Sequence, residues 1–496
     1  MKRFFSDLSF FLFLIGVLIH QLAVSKYGLA IFPDSVNYIH AGKSFLNSFE
    51  FHQFTGEYFV SWPPFYPLQL SIISLFGENF YIISSIYHAV IYGLTLVILQ
   101  KIIVFEIPKS HLTRQYLSLL FLLLIGAWPI MQLSLEFVSE TGFIFLALLG
   151  FYVGIQKKRI YLGLIVFSLL MLQRYIGIIW WASFSIIIFL SISNKKKWSL
   201  FVVLSSTPFL LWIFRNYHLT QTFSGQRGDS FISLTDNLLL GLDVISKWIM
   251  PHFFPFGIRF FVLILLFTFS ILLLLKATKV NLSKPFPFLN HSKIIDSTTI
   301  ISLLLIWIYF LSLWFISTSG KSEAFSFRML APIYPFFLIA IFRYFLINIE
   351  TQKPFIRLIL FSGLLLISLL QITFSFRYIS SKMEFGAGGF NTTEWRDSDF
   401  YSWYKETGFQ LPIKASNTPD AFYALFSKQI MFTPFQFEDV KLNELKTNSG
   451  DSVIVWINLM KRKTLIQEDS LVNYLNLKID FKSPSFTVYH IPNINF

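Results

Sequence analysis

The sequence of 496 residues contains no cysteine and few charged residues. Without cysteine the chain has neither disulfides nor thiolate chemistry. Charged types make up 14% of the residues and hydrophobic types 54%, and the mean hydropathy is +0.61. A soluble domain needs more charge than this to cover its surface. The composition therefore favours a protein that lies largely within a membrane.

The net charge of +13 arises because Lys and Arg outnumber Asp and Glu, 40 to 27. In a soluble protein this excess would suggest a nucleic-acid partner. In a membrane protein the same excess is expected, because Lys and Arg collect in the cytoplasmic loops. We therefore predict no nucleic-acid partner.

Long apolar runs recur along the chain, and most approach the length of about 20 residues that crosses a bilayer as a helix. Backbone polar groups in lipid must be satisfied within their own segment, so helices are expected. The sequence therefore predicts a polytopic α-helical membrane protein. We predict eleven transmembrane helices, near residues 8–25, 80–104, 115–131, 138–155, 160–173, 175–193, 198–214, 259–275, 298–317, 329–347 and 357–376.

The distribution of Lys and Arg predicts the side that each loop faces. Basic clusters such as 157–159 and 195–197 fall on one side, which the positive-inside rule assigns to the cytoplasm. The stretch 160–193 is too long for one helix across about 30 Å of hydrocarbon. Two short helices that meet at "LQRYIG" keep the assignment intact and place Arg174 at or near the outer face. We predict an integral membrane protein with these basic loops in the cytoplasm.

After the last apolar run the composition becomes more polar. The segments "DSVIVWINL" (451–459) and "SFTVYHI" (485–491) alternate as strands do, and "SNTPDAFYALF" indicates a turn into a helix. The sequence thus predicts two domains: a transmembrane domain over 1–377 with a structured first outer loop at 26–79, and a small extracytoplasmic α/β domain over 378–496.

Polar residues gather in the loops predicted to be outside. The first outer loop holds Asp34 and His40, and later outer loops hold Glu140, Arg215 and Arg328 among others. Cations suit a phosphate group, and a carboxylate suits a general base. An outer site flanked by apolar helices suits a substrate with a lipid tail.

Seven features, in order over nearly the whole chain, together resemble one family of membrane enzymes. They are Asp34 after the first helix, "WPPFYPLQL", "SETGFIFLALL", "QRYIG", "RNYHLTQTFSGQR", "FRMLAPIYP" and "SNTPDAFYAL". The chain resembles a GT-C membrane glycosyltransferase of the family-39-like group, which is similar to protein O-mannosyltransferases and aminoarabinose transferases. Asp34 and the double-proline segment in the first outer loop are the most telling pair.

The resemblance implies an inverting glycosyltransferase of the bacterial inner membrane, with a polyprenyl-phosphate sugar as donor and the active site on the outer face. It implies that Asp34 is the catalytic base, which takes the proton from an acceptor hydroxyl. The leaving lipid phosphate needs positive charge nearby, and the candidates for it are Arg174, Arg215, Arg227 and Arg328. The candidates for positioning the substrate or the acceptor are Glu140, His40, Trp62 and Tyr217. The acceptor itself, whether a lipid, a glycan or a protein, is not identified.

The sequence departs from the resemblance at one position. Protein mannosyltransferases carry an Asp-Glu pair in the first outer loop, whereas this chain has Asp34-Ser35. The departure argues against a protein acceptor and is compatible with the modification of lipids or glycans. No cofactor is predicted to be required. A divalent metal is compatible with the sequence, but no residues have the spacing of a zinc site.

Structural interpretations stand beside these assignments. Asp34 follows Pro33 and could serve as a helix N-cap, His40 could be an interface histidine, and Trp62 could only shape its loop. Other functions also stay open: a polyprenyl-linked glycan ligase or polymerase, a transporter or flippase of a lipid-linked substrate, and a membrane scaffold. We find no repeated halves of the kind that many transporters show.

Overall fold

The computed structural model of the chain describes residues 2–107, 111–225, 232–250, 253–279, 297–318, 324–435, 442, 445, 452–462 and 464–492. Helices dominate up to residue 385. In chain order they are α1 Lys2–Ala23, α2 Pro33–Ser48, α3 Phe65–Ser74, α4 Phe80–Val104, α5 His111–Ile125, α6 Trp128–Ser134, α7 Glu140–Phe151, α8 Ile160–Gln173, α9 Gly177–Ser191, α10 Lys195–Thr220, α11 Leu234–Ile249, α12 Phe256–Lys279, α13 Ser297–Thr318, α14 Phe327–Leu330, α15 Tyr334–Asn348 and α16 Pro354–Phe385.

Among the described residues, seven helical segments are long and apolar enough to cross a membrane, and four shorter apolar helices accompany them. These eleven segments coincide with the eleven predicted runs, so the prediction of a polytopic α-helical membrane protein is confirmed. The seven are Gly77–Val104, Tyr116–Ser134, Lys195–Thr220, Phe256–Leu275, Ser297–Thr318, Phe327–Thr351 and Pro354–Phe385, and the four are Leu8–Ala23, Glu140–Gln156, Ile160–Gln173 and Gly177–Ser191.

The stretch 160–193 forms two short helices, as predicted. At Arg174 the backbone is extended (φ −151°, ψ 139°) and α8 ends. Gly177 then begins α9, at a point where a Cβ atom would lie 2.4 Å from the carbonyl oxygen of Leu170. The reversal is so tight that only glycine fits without a shift of the backbone.

The chain divides into two compact units. The membrane unit comprises Met1–Leu22, Val60–Gln69 and Ile82–Ser380, and the tail unit comprises Ala23–Phe59, Leu70–Tyr81 and Ser381–Phe496. Compactness therefore groups most of the first loop with the C-terminal residues, whereas the predicted boundary at residue 377 groups it with the transmembrane helices. The predicted domain boundary stays a prediction.

The tail unit contains a small α/β fold, as predicted. Its helices after α16 are α17 Thr393–Arg396, α18 Asp399–Glu406, α19 Pro419–Phe426 and α20 Glu468–Leu475, and its strands are β1 Ile413–Ser416, β2 Met431–Phe432, β3 Val453–Ile457, β4 Lys478–Lys482 and β5 Phe486–His490. The strand order is β2-β1-β3-β5-β4. Strand β1 is parallel to β2 and β3, and β5 is antiparallel to β3 and β4.

The register of the sheet buries apolar side chains on both of its faces. Val455 pairs with Val488 across β3 and β5, and Ala415 pairs with Ile454 across β1 and β3. All four side chains are at most 2% exposed. Directly after β1, the side chain of Asn417 accepts a hydrogen bond from the N–H of Ile457 at Oδ1 and donates one from Nδ2 to the carbonyl oxygen of Ile457. These two bonds link the ends of β1 and β3.

Candidate active site

A buried carboxylate organises the polar centre of the membrane unit. Glu140 is the first residue of α7, where an acidic side chain is favoured by the unpaired N–H groups of the helix start. Its side chain is 0% exposed. A buried carboxylate is stable only when it is paired and hydrogen-bonded. Glu140 must therefore have strong partners inside the protein.

The partners of Glu140 are two arginines. Arg174 forms an ion pair with Glu140 Oε1. Arg328, on the short helix α14, donates to the same oxygen from Nε at 2.9 Å and from Nη2 at 2.8 Å. Glu136 Oε2 lies 3.9 Å from Arg328 Nε. We call these four residues the Glu140 cluster.

Small and amide side chains bring Arg174 to this position. Gln173 donates from Nε2 to the carbonyl oxygen of Ser139 at 2.9 Å, which holds the end of α8 against the start of α7. At Gly142 a Cβ atom would lie 2.6 Å from the same Gln173 nitrogen. The absence of a side chain at residue 142 therefore permits the contact.

The Glu140 cluster combines a buried carboxylate with arginine side chains that are partly exposed. The side chains of Arg174 and Arg328 are 24% and 29% exposed, whereas Glu140 is fully covered. A guanidinium group has five N–H donors in a planar fork and can serve a carboxylate and a second anion together. The geometry favours Glu140 as the residue that orients two arginines. Its predicted contact with the acceptor stays a prediction.

A second network surrounds Tyr175, directly after Arg174. The Tyr175 hydroxyl donates to the carbonyl oxygen of Val60 at 2.7 Å. It accepts from Trp212 Nε1 and from Asn216 Nδ2, each at 3.0 Å. Arg215 stacks its guanidinium 4.5 Å from the Trp212 ring and donates to Asn216 Oδ1 at 3.0 Å. We call this the Tyr175 hub.

Of the residues that the sequence analysis named, Arg215 belongs to the Tyr175 hub, and Tyr217 and Trp62 lie near hub residues in the sequence. Tyr217, which is exposed, stacks on Phe223 with ring centroids 5.1 Å apart. Trp62 is half-buried and lies two residues after the Val60 carbonyl that the hub holds. Arg227, also a predicted phosphate ligand, lies outside the described residues.

Sequence reasoning missed Tyr175 as a site residue, although it quoted the motif "QRYIG". Its hydroxyl serves three partners from two distant parts of the chain, Val60 and the helix α10. A tyrosine beside a charged residue, at a break between two helices, is only a weak indication of a site residue. The physical reason to look there is that a partly buried phenol hydroxyl needs hydrogen-bond partners.

In the tail unit, Asp34 is the second residue of α2, and Phe32 is the N-cap. The Phe32 N–H donates to the Ser35 hydroxyl at 3.0 Å, and no side chain caps the helix in the usual way. Asp34 is therefore not the N-cap, which corrects the capping interpretation. Its carboxylate is half-buried in the first turn, where the partial positive charge of the helix start favours an anion.

His40, further along α2, contacts the C-terminal part of the tail unit. Its Nδ1 lies 3.1 Å from the hydroxyl of Tyr423 on α19, and the two rings meet edge to face at 5.4 Å. Burial is the main reason that the His40 pKa is lowered from 6.5 to about 4, and the charges of His52 and Lys43 act in the same direction. The imidazole is therefore neutral near pH 7.

No group of three or more His, Cys, Asp or Glu side chains that could hold a metal ion occurs among the described residues. The predicted absence of a required cofactor or metal is not tested by this observation and stays a prediction.

The fold of the chain is similar to that of solved membrane-protein structures. The chain is similar to the apo structure of ArnT, an aminoarabinose transferase from Cupriavidus metallidurans, at 10% identity and a TM-score of 0.58. The structure of ArnT bound to undecaprenyl phosphate is similar at 9% identity and a TM-score of 0.55. Both similarities cover 97% of this chain and 97% of the other.

An oligosaccharyltransferase from Archaeoglobus fulgidus is similar over 90% of this chain and 68% of its own, at 12% identity and a TM-score of 0.44. That score is too low to support a conclusion. No family model and no curated protein matches the sequence. The two ArnT structures show that the chain has the GT-C fold, as the sequence resemblance implied.

Proposed function

We propose that the protein is an inverting glycosyltransferase that moves a sugar from a polyprenyl-phosphate donor to an acceptor hydroxyl. The observation that carries the proposal is the Glu140 cluster. It holds two partly exposed arginines in a chain whose fold is that of ArnT. An ArnT structure with undecaprenyl phosphate supports a polyprenyl-linked donor for this chain.

The proposed reaction assigns a proton acceptor and a phosphate site. Asp34 takes the proton of the acceptor hydroxyl, and the hydroxyl oxygen forms the new bond to the anomeric carbon with inversion. The bond from that carbon to the phosphate oxygen breaks, and the electron pair leaves on the phosphate. Arg174 and Arg328 stabilise the charge that builds there, because fixed cations act strongly on charge that develops in the transition state.

The other predicted residues have supporting roles in this proposal. Glu140 holds Arg174 and Arg328 in place. Arg215, with the Tyr175 hub, and Arg227 supply further positive charge for the donor. The candidates for positioning the acceptor or the sugar are His40, Trp62 and Tyr217. We place the reaction at the outer face of the bacterial inner membrane, with the tail unit on the same side.

Substitution of Asp34 by asparagine tests the catalytic base. A general base contributes roughly 10²- to 10⁴-fold to a rate, so Asp34→Asn should reduce sugar transfer by at least roughly 100-fold. Transfer is measured in membranes with a panel of radiolabelled polyprenyl-phosphate sugars, at equal protein levels.

The matched control for this experiment is Glu50→Gln. Glu50 is an exposed carboxylate of the same loop, and its partner is His52 at 2.9 Å. This variant should keep its activity. Full transfer by Asp34→Asn, with the panel active on the unaltered protein, would remove Asp34 from the mechanism.

A further inference from the structure

A glycine-rich segment of the tail unit lies along the residues that precede Asp34. Residues 386–391, with the sequence "GAGGFN", follow the end of α16, and we call them the strap. Gly386, Gly388 and Gly389 have φ values of 90°, 145° and 56°, which L residues with side chains rarely adopt. The strap therefore takes a path that depends on its glycines.

The strap bonds to the backbone just before Asp34. Phe390 donates its N–H to the carbonyl oxygen of Ile31 at 2.8 Å. Asn391 donates from Nδ2 to the carbonyl oxygen of Leu29 at 2.7 Å. Ile31 also pairs with Gly389 as an isolated parallel β-bridge. Two hydrogen bonds thus fix the carbonyl groups of Leu29 and Ile31, shortly before Asp34 in the sequence.

The glycines allow the strap to lie against this segment. A Cβ atom on Gly389 would lie 2.0 Å from the Ile31 carbonyl oxygen. A Cβ atom on Gly388 would lie 3.2 Å from Ala30 Cβ and 3.3 Å from Phe32 Cζ. No side chain fits at residue 389 unless the backbone moves.

Asn391 is itself fixed and buried. It is 3% exposed, and Arg396 donates to its Oδ1 from Nη2 at 2.6 Å and from Nε at 3.2 Å. Both ends of the amide are therefore used. Although Asn391-Thr392-Thr393 matches the sequence of an N-glycosylation site, the side chain is committed to these contacts.

We propose that the strap positions Asp34, with Gly389 and Asn391 as positioning residues for the base. The hydrogen bonds to Leu29 and Ile31 also restrain Asp34, because the backbone between them is short and has little freedom. Pro33 restricts its own φ, and the Ser35 hydroxyl accepts a hydrogen bond from the N–H of Phe32. This inference rests on the proposed function, because the strap can position a catalytic base only if Asp34 is that base.

The absence of cysteine permits a direct measurement of residue 34. An Asp34→Cys variant carries one thiol in the whole chain and can be labelled with a nitroxide. In the purified protein the paramagnetic resonance spectrum should show an immobilised label. Adding Asn391→Ala or Gly389→Ala should shorten the rotational correlation time of the label at least twofold.

Matched variants separate the strap from a general weakening of the tail unit. Asn417→Ala removes another buried asparagine, one that links β1 and β3 without touching the strap. Gly77→Ala alters a glycine with the same φ of 56° but with no atom within 4 Å of the added carbon. Both should leave the label immobilised. Equal loosening by these controls, or none by the strap variants, would overturn the proposal.

A second strap variant guards against misfolding. Asn391→Asp keeps an oxygen for Arg396 but replaces the donor to Leu29 with an oxygen that repels the Leu29 carbonyl, so it should also loosen the label. In the protein with native Asp34, Asn391→Asp should lower kcat by roughly 10- to 100-fold, as small misplacements of catalytic groups do, while KM for the donor changes less than twofold. An unchanged kcat in a folded Asn391→Asp variant whose label has loosened would overturn the positioning role.

The label reports residue 34 without any transfer assay. If the strap variants loosen the label and Asp34→Asn is fully active, the catalytic role of Asp34 fails, but the hold of the strap on residue 34 stands. If the label stays immobilised and Asp34→Asn is inactive, the strap proposal fails and the base remains.

Discussion

At the scale of single residues, the fully buried carboxylate of the membrane unit is paired with two arginines. Glu140 shares one oxygen between Arg174 and Arg328, and its charge could not be buried this deeply without them. The sequence named all three residues as candidates. It did not predict that they meet, because helix periodicity says nothing about which loops converge.

His40 supports a prediction about pH. Its pKa is about 4 in the folded protein and 6.5 ordinarily, so the unfolded chain binds more protons between these values. The stability that His40 contributes should therefore be complete above about pH 6.5 and decline as the pH falls to about 4. We expect the thermal midpoint of the tail unit to fall over this window, and His40→Gln to reduce that fall.

The measurement is thermal unfolding of the purified protein in detergent at several pH values, followed by the fluorescence of a label at a single cysteine in the tail unit. His218→Gln, which alters an exposed histidine of the membrane unit, is the control and should keep the original pH dependence. An identical acid sensitivity in His40→Gln and the unaltered protein would contradict the prediction.

At the scale of elements, helix contacts depend on small residues. Gly163 on α8 faces Gly154, and a Cβ atom on Gly163 would lie 2.5 Å from Gly154 Cα. The backbones approach closely here, in the way that small residues allow between transmembrane helices. The hydropathy of the sequence located both helical segments but did not indicate this contact.

We predict opposite effects of alanine at two glycines. In a helix interior alanine is ordinarily favoured over glycine by roughly 0.5–1 kcal/mol. Gly363→Ala in α16 meets no atom within 4 Å and should be neutral or stabilising, whereas Gly163→Ala should destabilise the helix pair. Thermal unfolding of both variants in the same detergent measures the difference. Equal midpoints would contradict the close approach.

At the scale of the whole molecule, the predicted eleven membrane crossings, an odd number, would leave the two ends of the chain on opposite sides of the membrane. We predict the tail unit outside and the basic loops inside. Because the chain has no cysteine, single exposed cysteines report the side directly. Ser402→Cys in α18 should react with a membrane-impermeant maleimide in intact cells, and Lys353→Cys should react only after lysis.

Reaction of both variants in intact cells would indicate leaky membranes and is checked with a cytoplasmic marker protein. Protection of Ser402→Cys together with reaction of Lys353→Cys would invert the topology. It would also place the Asp34 loop on the cytoplasmic side, and an outer-face reaction would then be wrong.

Much of the architecture could be predicted from the sequence because the relevant signal is local. Apolar runs located each candidate membrane span of the described residues, and the separation of α8 from α9 followed from their combined length and the position of the basic residues. The α/β character of the tail followed from alternating strands. The order of its strands did not, since pairing between β1 and β3 joins segments about 40 residues apart.

The sequence by itself determined the membrane helices, the small α/β tail and the residue types that can bind phosphate or accept a proton. Only the tertiary structure decided which of them meet. The bond from Arg328 to Glu140 spans 188 positions, and the bond from Asn391 to Leu29 spans 362. Hydropathy and helix propensity act over a few turns, whereas such contacts depend on how distant elements pack.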